Sequence, residues 1–206
     1  SNDELGALTK AFNNMATGLK ERNKFKNILG KFHSKAVIHK LVNENKIQLG
    51  GESVFATVLF ADIRAFTTSS ESKKPEEVVE MLNEYLTKME EVISSFGGTV
   101  DKFVGDAIVA FWGIPSTSEQ EDALNAVKAA INMRQALEEL NKARKNRGEE
   151  NIEIGIGINS GEVIAGNIGS SNRMDYTIIG DTVNTASRIE NFTKMNMQDI
   201  LLSETT

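Results

Sequence analysis

The stretch DKFVGDAIVAFW (residues 101–112) decides the fold of this 206-residue chain. Val100 to Val104 and Ala107 to Phe111 are apolar runs separated by the pair Gly105-Asp106. Such a pair is typical of a two-residue hairpin turn with positive φ at its first position. The pattern therefore predicts a β-hairpin with Asp106 at its tip.

A second aspartate lies at the end of another predicted strand. Asp62 follows the run VFATVLFA (residues 54–61), whose β-branched and aromatic content indicates a buried strand. A buried carboxylate is costly unless it is paired or bound to a metal. Two strand ends can place Asp62 and Asp106 side by side, and Mg²⁺ is the cation that suits one or two carboxylates plus phosphate oxygens. For either aspartate alone, a turn or strand-end role is the better interpretation, so a third segment decides.

That third segment is YTIIGDTVNTASRIE (residues 176–190). It predicts a short strand, a Gly-Asp junction in which Asp181 caps a helix, and then the helix itself. Asn184 and Arg188 are four residues apart, so they share one helical face and can grip one ligand.

Together the three segments resemble the class III nucleotidyl cyclases, the family of adenylyl and guanylyl cyclases, from about Glu52 to the last residue. The resemblance implies that Asp62 and Asp106 hold two metal ions, Mg²⁺ or Mn²⁺, with the Ile63 carbonyl as a further ligand. The reaction it implies is attack of a ribose 3′-hydroxyl on its own α-phosphate, which gives a cyclic nucleotide and pyrophosphate, with two metal ions assisting.

The resemblance also implies the contacts with the nucleotide. As catalytic residues, Asn184 would orient the ribose and Arg188 would meet the α-phosphate. The implied substrate-binding positions are the base readers Lys102 and Thr177, together with Phe66 and Thr67. The site would lie between the two subunits of a homodimer, with the metal aspartates from one subunit and the base, ribose and phosphate residues from the other.

Base choice follows from hydrogen-bond polarity. Adenine offers an acceptor at N1 and a donor amine, whereas guanine offers a donor N1–H and an acceptor carbonyl. Lysine only donates, so Lys102 favours ATP, while the Thr177 hydroxyl both donates and accepts and is less decisive. The threonine resembles the variant of cyanobacterial-type and bicarbonate-responsive soluble cyclases, which leaves bicarbonate sensitivity open. The alternatives are a guanylyl cyclase and a catalytically silent domain that binds nucleotide to regulate dimerisation.

The N-terminal segment has a heptad pattern, formed by Leu5, Leu8, Phe12, Met15 and Leu19. It resembles the last helix of a HAMP signal-relay domain, which normally follows a transmembrane helix, and the alternative is a helix that packs on its own domain. We therefore predict three regions: a HAMP-like helix (1–22), a connecting helix and linker (23–51) and the cyclase domain (52–206). The chain would be the cytoplasmic part of a membrane-anchored protein with an upstream sensor.

The remaining pattern predicts an α+β, ferredoxin-like (palm-type) cyclase fold. Pro75 begins a helix that Gly97-Gly98 ends, and Ser118 begins another through a capping box. Residues 152–158 and 163–166 predict two strands. The apolar stripe of the first helix is predicted to consist of Val79, Leu82, Leu86, Met89 and Ile93.

Composition and charge narrow the function classes. The chain contains no cysteine, so it has no disulfides. Residues 1–50 carry a net charge of +5 and the remainder −11, and an acidic body argues against nucleic acid as a partner. The chain has no GxGxxG motif in front of a predicted helix, so a dinucleotide-binding fold has little support. The sequence signature of diguanylate cyclases is also absent. His33 and His39 are predicted to be surface residues. Family members usually carry a later triphosphate-binding lysine, which we expect beyond Thr206.

Overall fold

The computed structural model describes residues 4–32, 49–114, 118–171 and 173–206. The chain forms two compact units, 1–47 and 48–206. The described part of the first unit is one helix, α1 (Glu4–Phe32), which continues past the predicted end of the HAMP-like segment. Its apolar residues Leu8, Phe12, Met15 and Leu19 are 50–68% exposed. His33 and His39 lie outside the described residues.

The second unit is built from six strands and four helices among its described residues. In chain order they are β1 (Gly50–Ile63), α2 (Phe66–Glu71), α3 (Pro75–Ser95), β2 (Thr99–Val104), β3 (Ala107–Trp112), α4 (Glu119–Asn146), β4 (Ile154–Ser170), β5 (Arg173–Ile179), α5 (Asp181–Asn196) and β6 (Ile200–Leu202). The strands form one sheet in the order β2-β3-β1-β4-β5, with β6 beside β4. Neighbours are antiparallel except for the β4–β6 pair. The predicted α+β architecture is confirmed.

The sheet has an apolar side-chain layer on each face, because successive residues of a strand point to opposite faces and β3 is buried along its whole length. Leu59, Ala61 and Ile63 of β1 belong to a core that includes residues of α3 and α4. Val58, the neighbour of Leu59 on the same strand, belongs to a second core with Ala186 of α5. None of the helices within the described residues has the length and apolar content needed to span a membrane.

The face that α3 buries differs from the predicted stripe. Val79 is 55% exposed, whereas Met81 and Tyr85 are buried together with Met89 and Ile93. These four buried residues follow one another at intervals of four residues, so they form one continuous row along the helix. The prediction included Met89 and Ile93, and its Leu82 and Leu86 are partly buried against the same core, but it passed over Met81 and Tyr85. The predicted helix start at Pro75 is confirmed, and so is the Ser118 cap, whose hydroxyl accepts a hydrogen bond from the Glu121 N–H.

Two further predictions need correction. Residues 152–158 and 163–166 are not separate strands but parts of the continuous strand β4. The reason is tertiary, since β1 pairs with β4 without interruption from Gly50 to Ile63 and this ladder overrides the turn-forming residues between them. Asp181 is not the helix cap, because Gly180 holds that position and Asp181 begins the first turn of α5.

Candidate active site

The tip of the β2–β3 hairpin and the end of β1 meet at the two predicted metal aspartates. Gly105 has φ of +65°, as the turn requires, and Asp106 follows it. Pairing of Ala61 with Ile108 brings the end of β1 to this tip. The backbone N–H of Ile63 donates a hydrogen bond to Asp106 Oδ2 at 3.2 Å. The hairpin and strand thus hold the Asp106 carboxylate beside β1, as predicted.

The carboxyl group of Asp62 affects the pKa of Asp106. Partial burial raises the pKa of Asp106 to about 6, and hydrogen bonding with Asp62 and its negative charge add to the effect. The N–H groups of Asp106 and Ile63 oppose it. Two carboxyl groups that repel each other in this way favour either a shared proton or a bound cation. Within the described ranges, no group of three His, Cys, Asp or Glu side chains is arranged to hold a metal.

A lysine and a glutamate from α5 lie next to Asp62, and the sequence analysis missed both. Lys194 Nζ is 3.1 Å from Asp62 Oδ2 and 3.8 Å from Glu190 Oε1. Glu190 is buried, and burial raises its pKa to about 7; the positive charge of Lys194 opposes this rise, and the negative charge of Asp62 adds to it. The signal was its spacing: Glu190 is four residues after the buried Ala186, on the face of α5 that packs against the sheet.

Glycines in β4 allow α5 to approach the sheet closely. A Cβ at Gly157 would lie 2.2 Å from the backbone nitrogen of Glu190, and one at Gly155 would lie 2.7 Å from Glu190 Oε1. Only glycine tolerates such contacts. Because Gly155 pairs with Asp62 in the β1–β4 ladder, this packing places Glu190 next to Asp62.

The opposite face of α5 carries the two predicted ribose and phosphate residues. Asn184 and Arg188 are both exposed, one helical turn apart. In the described part of the chain, no hydrogen bond or ion pair connects either of them to Asp62 or Asp106. The structure therefore brings Asp62 and Asp106 together within one chain and leaves Asn184 and Arg188 facing outward.

The predicted base readers come together around a residue that the sequence analysis did not single out. Thr177 on β5 donates a hydrogen bond to Asp101 Oδ2 at 2.8 Å, and Lys102 Nζ lies 3.3 Å from the same oxygen. Strands β2 and β5 stand at opposite ends of the sheet order, yet they meet at this contact. Burial raises the pKa of Asp101, while the hydrogen bond from Thr177 and the charge of Lys102 oppose the rise. Asp101 directly precedes Lys102 inside a strand, and this unusual position for a carboxylate was the available signal.

Phe66 and Thr67 begin the short helix α2, directly after Ala65, whose φ is +52°. Phe66 packs against the core that includes β1, α3 and α4. Its ring is therefore partly buried, while the backbone at the start of α2 offers a second means of contact with a nucleotide. The first N–H groups of a helix have no intrahelical partner and are available for this purpose.

Comparisons with known proteins agree with this geometry. Residues 52–206 match the family model described as adenylate and guanylate cyclase catalytic domain. The chain is 40% identical to an adenylate cyclase of Anabaena cylindrica over 98% of its own length and 41% of the relative. It thus spans about two fifths of that relative.

Two solved structures show the same fold at high sequence identity. The guanylyl cyclase Cya2 is 46% identical with a TM-score of 0.66 and covers 70% of this chain and 73% of its own. The adenylyl cyclase CyaB from P. aeruginosa is 40% identical with a TM-score of 0.69 and covers 76% of this chain and 80% of its own. With the paired carboxylates at a hairpin tip and the matching residues 52–206, these likenesses establish that the chain belongs to the adenylate and guanylate cyclase catalytic domain family.

Proposed function

We propose that this domain is an adenylyl cyclase that converts ATP to cyclic AMP and pyrophosphate. The observation that carries the proposal is the β2–β3 hairpin, which presents Lys102 beside Thr177 and Asp106 beside Asp62. One hairpin thus holds a hydrogen-bond donor for adenine N1 and a carboxylate for a phosphate-bound cation. The adenylate cyclase of Anabaena cylindrica supports the same reading.

The guanylyl cyclase reading is the second candidate, because the 46%-identical structure is a guanylyl cyclase. Lys102 argues against it, since an ammonium group cannot accept a hydrogen bond from guanine N1–H. The direct test is to incubate the protein with ATP or GTP, each with Mg²⁺ or Mn²⁺, and to identify the product by mass. Formation of cyclic AMP from ATP would support the proposal. Formation of mainly cyclic GMP from GTP would overturn it.

The residues at the hairpin tip fit divalent cations. Asp62 and Asp106 are hard oxygen ligands, and the pKa of Asp106 is raised first by burial and then by its hydrogen bond with the Asp62 carboxyl and by the charge of that carboxyl. We propose that they hold two Mg²⁺ or Mn²⁺ ions with the Ile63 carbonyl. Bound ions would supply activation of the 3′-hydroxyl and charge neutralisation on the phosphates. Arg188 would donate hydrogen bonds to α-phosphate oxygens, Asn184 would fix the ribose, and the N–H groups of Phe66 and Thr67 would contact phosphate.

Metal binding should weaken as the pH falls through about 6, because the proton that Asp106 takes up competes with the cation. Above that pH the carboxylate is ionised and binds metal fully; below it, each pH unit should lower the affinity by about tenfold. Titration with Mn²⁺ followed by electron paramagnetic resonance measures this directly. Glu190→Gln is the matched control, since the pKa of Glu190 is about 7 and its titration also falls near this range. If this variant loses the pH dependence and Asp106→Asn keeps it, the assignment to Asp106 is wrong.

Substitution of the base readers should have unequal effects on ATP use. Lys102→Glu replaces a donor with a group that repels adenine N1 and should cost roughly 2 to 4 kcal/mol in transition-state stabilisation, whereas Thr177→Ala should cost much less. The measurement is kcat/KM for ATP. Equal losses for both variants would show that Lys102 does not read the base.

We also propose that the active form is a head-to-tail homodimer. The outward direction of Asn184 and Arg188 supports this, because in one chain they are not joined to the metal aspartates. In a two-fold dimer, α5 of one subunit would complete the metal pair of the other, giving two equivalent sites.

The helix α1 fits a role as the end of a HAMP-like relay from a membrane-anchored sensor. Its apolar residues repeat at alternating spacings of four and three and are exposed, which suits a helix that pairs with further helices. A change in that pairing would alter how two cyclase bodies approach each other.

A further inference from the structure

We propose that Asp101 makes the Thr177 hydroxyl an obligate hydrogen-bond acceptor toward the nucleotide, and so serves as a positioning residue for adenine selection. The inference rests on the proposed function. It supplies a discriminating role for a hydroxyl that, taken alone, can donate to guanine as readily as it accepts from adenine.

The strand geometry brings Asp101 into this position. In the β2–β3 ladder, Val100 pairs with Ala110 and Lys102 pairs with Val109, so Asp101 is the extra residue of a β-bulge. A bulge breaks the alternation of side chains and redirects them locally. Neighbouring residues 101 and 102 can then meet, and Lys102 Nζ reaches to within 3.3 Å of Asp101 Oδ2.

The burial of Asp101 makes its hydrogen bonds decisive. Its side chain is 1% exposed, whereas that of Lys102 is 46% exposed. Its Oδ2 accepts the hydrogen bond from Thr177, while its Oδ1 is buried with no hydrogen-bond partner among the described residues. A buried carboxylate with so few hydrogen-bond donors around it holds each donor strongly. The Thr177 hydroxyl is one of these donors.

The surroundings of Thr177 Oγ1 settle where its proton points. Its hydrogen-bonding neighbours in the described part of the chain are Asp101 Oδ2 at 2.8 Å and the Ile178 carbonyl at 3.5 Å, and both are acceptors. A hydroxyl has one proton and two lone pairs. With the proton directed at Asp101, only lone pairs remain for a ligand.

This polarity separates the two purines. The adenine 6-amino group can donate to the Thr177 lone pair, whereas the guanine 6-carbonyl would face it with another lone pair. Sites that leave a buried polar group unpaired reject the wrong analogue strongly. Asp101 would thus reinforce, at the 6-position, the choice that Lys102 makes at N1.

The test must separate Thr177 from Lys102. N6-methyl-ATP and 6-methoxypurine riboside triphosphate serve this purpose, because both keep N1 as an acceptor for Lys102 and both carry one methyl group. They differ in the group at the 6-position, which is a donor N–H in the first and an acceptor oxygen in the second. We expect the wild type to prefer N6-methyl-ATP by about tenfold or more in kcat/KM. Absence of any preference overturns the proposal without a variant.

Asp101→Asn should lower that preference several-fold, because the amide can donate to Thr177 and release its proton toward the ligand. In a Thr177→Val background the same substitution should change the preference by less than about twofold, as a double-mutant cycle requires of residues that act through each other. An equal fall in both backgrounds would show that Asp101 acts without Thr177, and no fall in either would also overturn the proposal. The matched control is Asp175→Asn, an exposed carboxylate whose charge reaches Asp101 but which makes no hydrogen bond with Thr177 among the described residues.

Binding measurements keep this outcome distinct from the proposed function. Displacement of a fluorescent ATP analogue by the two triphosphates reports the preference even in a protein that shows no turnover. Lack of turnover with retained discrimination would refute cyclase activity and support the role of Asp101. Turnover without discrimination would do the reverse.

Discussion

Asp62→Asn and Asp106→Asn should each lower the rate of ATP cyclisation by at least about a thousandfold, because each removes a charged metal ligand where phosphate charge must be stabilised. The fold should remain intact. Since mutual repulsion and burial raise the pKa of Asp106, neutralising either carboxylate should leave the thermal stability of the metal-free protein unchanged or raise it. Rates with saturating Mn²⁺ and thermal unfolding without metal measure both effects.

A control variant separates loss of metal from loss of charge. Asp175→Asn also removes one carboxylate but lies on β5, away from the hairpin tip, and should retain the wild-type dependence on metal concentration. Near wild-type, metal-dependent activity in either Asp62→Asn or Asp106→Asn would rule out the two-ion proposal.

A mixture of inactive Asp106→Asn protein with inactive Arg188→Ala protein should regain activity. In the heterodimer one site carries both defects and the other carries neither. With random exchange, half of the dimers are mixed and half of their sites are intact, so about a quarter of wild-type activity is expected. Steady-state rates after co-incubation or co-refolding measure it.

The informative control is a mixture of Asp106→Asn with Asp62→Asn. Both defects lie in the same half of the site, so every site in every dimer is damaged and no activity should return. If subunit exchange is demonstrated and the Asp106→Asn and Arg188→Ala mixture stays inactive, each site is built within one chain and the shared-site proposal is wrong.

The sequence predicted the hairpin, the position of Asp106 and the end of β1 correctly because these depend on local signals. A Gly-Asp turn between apolar runs has few alternatives. The continuity of β4 was missed, since it depends on pairing with β1 across a long separation in sequence. The buried face of α3 was misjudged for a related reason: tertiary packing selects Tyr85, which has a polar atom, over the more apolar Val79.

The site shows the same division. Lys102, Thr177, Asp62 and Asp106 were found through the family resemblance and the turn pattern, and the structure brings them together in two pairs. Asp101, Glu190 and Lys194 were missed because their importance lies in burial and in contacts with distant segments. The spacing of Glu190 from Ala186 and the position of Asp101 inside a strand were signals, but the contacts themselves are not visible from residue type and spacing. The spacing of residues along the chain cannot show that β2 contacts β5, because the two strands stand at opposite ends of the sheet order.

The β-bulge at Asp101 has a consequence for how this hairpin can be exchanged between related enzymes. Between Val100 and the turn, the number of residues matters as much as their identity, since the one extra residue is the one that places a carboxylate beside Lys102. Deleting that residue would leave Lys102 opposite Val109 but would remove the carboxylate that meets both its ammonium group and the Thr177 hydroxyl, while the turn would still hold Asp106 at the tip. Transplanting a hairpin of the wrong length would therefore yield an enzyme that binds metal but no longer distinguishes its bases, and residue count is the first quantity to match in such chimeras.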